Sequence, residues 1–129
     1  MNFLTFCAFF VCAGGGAWCR FTFDAWAKAQ RVGIMPWGTF CINVVGSFLL
    51  GALTGAAGLL AQQWGSEAVR VLALLLGTGF LGGFTTFSTA MVESVKSLRA
   101  GALGHMGILW LVQACVSMLA ASCGLMLFS

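Results

Sequence analysis

The sequence runs to 129 residues, of which 60% are hydrophobic and 7% charged, and its mean hydropathy is +1.01. A soluble domain carries roughly 25% charged residues, so this chain cannot cover a water-facing surface and has to sit in lipid. Its net charge of +3 comes without a basic run, which excludes a nucleic-acid binder.

Apolar stretches of about 18 or more residues read as membrane spans. Four occur in chain order: Phe3 to about Phe23, Trp37 to about Ala61, about Val69 to Val92, and His105 to Phe128. Each can cross a core of roughly 30 Å at about 1.5 Å rise per residue. The connections are short, so residues 1–129 read as a single all-α membrane domain. Span one lacks the basic segment that precedes the apolar core of a signal peptide, since its first basic residue is Arg20. It is therefore expected to be retained as a helix. Arg20 is an ionisable group near the end of this span and a functional candidate, with snorkelling to the interface as the alternative. The polar segment 24–36 follows, with room for a partly interfacial helix. Trp26 and Trp37 suit the headgroup level, and Pro36 is placed to open span two.

Span two holds Asn43, whose carboxamide costs several kcal/mol in hydrocarbon unless it is bonded. It can donate to an anion or tie two helices together. Further along, Gly51-Ala-Leu-Thr-Gly55 is a small-xxx-small pattern that predicts close helix packing. A short turn is expected at Gln62 to Ser66.

Span three reads Gly82-Gly83-Phe84-Thr85-Thr86-Phe87-Ser88-Thr89 near its centre. Glycines followed by small hydroxyl residues are a poor helix centre. A break here would free carbonyls near Gly82 to Thr85, which suit a hard cation such as Na⁺. A helix may break at membrane depth only where protein or a cavity receives those groups. The alternative is a straight helix whose hydroxyls bond back one turn. Phe87 could offer a passing anion its electropositive ring edge, or simply pack. Glu93 lies near the end of this span, an expensive charge like Arg20. In span four, Gln113 and Ser117 are four apart and share a face. His105, at its start, suits the interface.

The six cysteines fall inside spans with no metal-ligand or redox spacing, so they read as small hydrophobes. No nucleophile–base pair or metal cluster appears, and an enzyme is not expected. Arg20, Lys28, Arg31, Lys96 and Arg99 lie on one side of the membrane and Arg70 alone on the other. The positive-inside rule then places both termini outside.

Taken together, three strings resemble the CrcB/Fluc family of fluoride-specific ion channels. They are Gly14-Gly15-Gly16 with Arg20, then Gly38-Thr39 with Asn43 and Gly46, then Gly82 through Thr89 with Glu93. The resemblance covers nearly the whole chain. It implies a passive channel of the bacterial inner membrane that returns cytoplasmic fluoride to the outside and lowers its toxicity. It implies an antiparallel, dual-topology dimer of four-helix subunits with two fluoride paths, each third helix being broken near its centre. A central structural Na⁺ would rest on the backbone carbonyls of Gly82 and Thr85. The fluoride route would pass Asn43, Phe87, Ser88, Thr89, Gln113 and Ser117, with Arg20 and Glu93 as supporting charges. The sequence departs from the family pattern at Ala90, where a second phenylalanine is usual. It departs again in span four, where Leu109, Gln113 and Ser117 replace a more uniformly polar track.

Two other readings stand beside this one. The charge bias favours a single orientation, which suits one subunit of an obligate heterodimer with an oppositely oriented homologue. A small multidrug-type exporter would need a carboxylate in the middle of span one, where there is none.

Overall fold

The computed structural model describes residues 2–30, 37–99, 101 and 103–129, without the side chains of Ser97, Leu103, His105 and Met106. Arg31, Pro36 and the side chain of His105 lie outside the described residues. Four helical stretches are long and apolar enough to cross a membrane: Phe3–Ala29, Trp37–Trp64, Ser66–Lys96 and Gly107–Phe128.

Helix α1 (Phe3–Ala29) continues beyond the expected end of span one. The extension is rich in alanine, and Lys28 pairs with Asp24 one turn back, a spacing that supports a helix. Helix α2 (Trp37–Trp64) ends at Gly65, whose φ of 87° lets the chain turn within a single residue. The third span is built in pieces. An α-helical start, α3 (Ser66–Leu72), runs into a π-wound stretch, Ala73–Leu81. One α turn follows, α4 (Gly82–Phe84), and Thr85 then goes extended at φ −74°, ψ 156°. The span resumes as α5 (Ser88–Arg99). The expected central break is therefore present. Helix α6 (Leu103–Phe128) completes the chain.

Two glycine-mediated crossings organise the packing. Helix α2 lies along α6, and a Cβ on Gly51, Gly55 or Gly124 would run into the backbone at Ala121, Leu125 or Phe48 respectively. The Gly51–Gly55 pattern thus does what its spacing predicts. On the other side, α1 packs against the π-wound stretch and α4. Gly16 sits against the Phe80 carbonyl and Gly83 against that of Ala13. Large apolar side chains point outward along every span, from Phe3 and Val11 to Leu111 and Met126. Lipid tolerates that surface, while the interior is left to small residues that let backbones approach.

Candidate functional site

The break is held by one side chain from another helix. Thr86 N–H donates to Asn43 Oδ1 at 2.9 Å, and Asn43 Nδ2 donates to the Thr86 carbonyl at 3.1 Å. The carboxamide thereby pairs with a peptide group much as a neighbouring strand would. Gly46, one turn further along α2, leaves room for the Thr85 methyl, which a Cβ there would overlap. The Thr86 side chain then restarts the helix. Its Oγ1 accepts from Thr89 N–H at 3.2 Å, the side-chain capping bond that satisfies an orphaned donor at a helix start. Ser88 and Thr89 turn their hydroxyls to the same atom, at 3.3 and 3.2 Å.

These bonds divert two donors. In an unbroken helix Thr86 N–H would bond the Gly82 carbonyl and Thr89 N–H the Thr85 carbonyl. Here the first goes to Asn43 and the second to the Thr86 hydroxyl. Gly82 and Thr85 are the two positions expected to offer carbonyls to a cation. The donor set, neutral backbone oxygen, is the type that suits a hard monovalent ion.

A groove of 540 Å³ runs along the break between α2, the third span and α6. It brings together Asn43, Gly82, Thr85, Phe87, Gln113 and Ser117 from the expected site, and among the described residues no charged one lines it. Asn43 commits one amide hydrogen to Thr86, and its second hydrogen has no partner among the described residues. Ser117 Oγ is buried without a partner among the described residues. Phe87 is 69% exposed at the groove. It is therefore not a core phenylalanine. Its ring meets Trp110 edge to face, with centroids 5.5 Å apart.

The remaining expected residues lie elsewhere. Thr89 and Arg20 line a second cavity of 120 Å³ behind the break, with Asp24 and Thr39. Arg20 Nε and Thr39 Oγ1 are buried there without partners among the described residues. Ser88 lines neither cavity and stays with Thr86. Glu93 is mostly covered and reaches Lys28 of α1 at 3.9 Å, while Lys28 also bonds Asp24. These charges tie the end of α1 to α5. Trp110 is a groove residue that sequence reasoning missed. Its signal was its spacing: Trp110, Gln113 and Ser117 fall at i, i+3 and i+7, on one face of α6.

A four-span chain with a broken third helix beside a polar and aromatic groove is a multi-pass membrane protein. Residues 7–125 match the family model described as CrcB-like protein, Camphor Resistance (CrcB). The chain is 43% identical over 126 residues to a fluoride-specific ion channel FluC 2 of Cutibacterium acnes, covering 92% of this chain and 94% of that one. It is 44% identical over 99 residues to a fluoride-specific ion channel FluC of Novosphingobium aromaticivorans, covering 74% of each. A FluC of Rhizobium etli is 38% identical over 120 residues, covering 92% of each. The chain belongs to the CrcB family, a family of membrane channels and not of enzymes.

Proposed function

We propose that this protein is a passive, fluoride-selective channel that exports cytoplasmic fluoride, working as a dimer. The observation that carries the reading is the groove at the helix break, where neutral donors and ring edges meet with no fixed charge. A bare anion in hydrocarbon costs tens of kcal/mol by simple Born reasoning. A route across must replace water with donors, yet bind weakly enough to release the ion. The free hydrogen of Asn43, the Gln113 amide and the Ser117 hydroxyl are such donors, and the exposed Phe87 contributes a ring edge. The names of the relatives support fluoride as the ion.

Na⁺ on the carbonyls of Gly82 and Thr85 fits the diverted donors at those positions. Bound there, it would offset the aligned carbonyl dipoles and tie the breaks of two subunits together. Asn43 and Thr86 keep those carbonyls available by taking up the N–H groups that would otherwise cover them.

The charge distribution favours a second assembly, an obligate heterodimer with an oppositely oriented homologue. Lys28, Lys96 and Arg99 gather on the side where α1 and α5 are joined by the Lys28–Glu93 pair, opposite Arg70. Purified chain in liposomes decides both questions. Fluoride efflux well above chloride efflux is expected for the homodimer and removes the obligate heterodimer. If the chain is silent alone and active with the paired homologue, the heterodimer stands. Silence under both conditions, or equal passage of chloride, overturns the fluoride-channel reading.

A further inference from the structure

We propose that Trp110 is a pathway residue, the second aromatic wall of the groove, filling the space that Ala90 leaves open beside Phe87. The proposal rests on the fluoride-channel reading. Phe87 stands just before α5, and Ala90 and Ser94 follow it at i+3 and i+7 on the side of α5 that meets α6. Ala90 is a methyl group at 7% exposure, so something covers it. Trp110 is placed to do so, because it is held on either side of Ala90 along α5. Its ring meets Phe87 at 5.5 Å and an interplanar angle of 63°. Its indole N–H donates to Ser94 Oγ at 2.8 Å, and that hydroxyl in turn donates to the Ala90 carbonyl at 2.7 Å.

The two contacts have a chemical consequence. The indole N–H is the one strong donor on the ring, and Ser94 takes it away from the groove. What Trp110 presents to an ion in the groove is therefore carbon, with the ring quadrupole and no N–H. An aromatic wall of that kind attracts an anion at its edge without holding it, as conduction requires. A tryptophan with a free N–H in the same position would make a tighter and slower site. Ser94 is thus a positioning residue, and the small side chain at position 90 is what admits the indole.

The test is fluoride efflux from liposomes, with elution of the purified protein on size exclusion as the folding check. Trp110→Leu keeps apolar bulk and removes the ring, and its efflux is expected to fall about tenfold, the scale of one aromatic contact. Trp110→Phe keeps a ring without the N–H and is expected to stay within about threefold of wild type on the same scale. In the double variant A90F/W110A the ring is moved to α5, and efflux is expected to recover relative to W110A. Wild-type rates in a folded W110L protein overturn the proposal and leave the fluoride-channel reading in place. Should W110L misfold, failure of A90F/W110A to exceed W110A overturns it instead. Wild type without efflux, alone or with a paired homologue, removes both.

Discussion

Asn43 uses its carboxamide as if it were a length of backbone, giving and taking one hydrogen bond with Thr86. The sequence left two uses open for it, as a donor to an anion and as a tie between helices. The structure realises the tie and leaves the second amide hydrogen over, so the two uses do not compete. Asn43→Asp separates them. The carboxylate still accepts from Thr86 N–H but cannot donate to its carbonyl, an orphaned group that costs about 1–3 kcal/mol. It also puts a negative charge on an otherwise uncharged groove. The expected outcome is a modest fall in thermal stability in detergent together with loss of fluoride efflux, read on the same preparation. Arg20 was legible as an unusual residue, but its cavity with Thr39 was not, because Asp24 and Thr39 reach it from separate helices. Trp110 escaped notice because its spacing to Gln113 and Ser117 marks a shared face of α6 without saying what that face meets.

The third span shows how far composition reaches at the scale of an element. Gly82-Gly83 and the string Thr85-Thr86-Phe87-Ser88-Thr89 marked where a break could fall, because these residues stabilise a helix poorly and offer hydroxyls to cap its restart, but they left a straight helix open and the family resemblance decided between the two. The π-wound stretch ahead of it, Ala73–Leu81, left no such mark. Its residues suit an α-helix equally well, so nothing in the sequence marks the change of winding. Helix α1 runs past the expected end of span one into the polar segment where a partly interfacial helix was expected, and Asp24 and Lys28 support each other there. The α2–α6 crossing, by contrast, was readable from its glycines. Gly51→Leu is expected to separate the two helices and lower the thermal unfolding temperature. Gly58→Ala, where a Cβ meets nothing within 4 Å, is expected to leave it unchanged or slightly raised. Thermal unfolding of the two variants in one detergent checks the pair.

For the whole molecule, the four spans followed from hydropathy alone, since lipid leaves few ways to arrange a chain this apolar. Assembly is a different matter, because it depends on surfaces that only a partner makes meaningful. Orientation is where charge has the most to say. Lys96 and Arg99 close α5 on the basic side. Lys96→Gln with Arg99→Gln is expected to lower the share of chains that insert with the basic side inside. Protease accessibility of a terminal tag in inside-out vesicles measures that share. An unchanged share would mean that Lys28 and its neighbours in the first loop decide orientation by themselves.

The Asn43–Thr86 pair also constrains the order in which the molecule comes together. A lone helix in lipid has no donor or acceptor outside itself, so a gap in its hydrogen bonding there costs several kcal/mol. A third span without the second beside it is therefore expected to keep its hydrogen bonds as one continuous rod, since the opening at Thr85 needs the peptide partner that Asn43 supplies. The site is thus a product of tertiary assembly: a chain whose second and third spans have not met has no freed carbonyls and no groove, whatever its sequence.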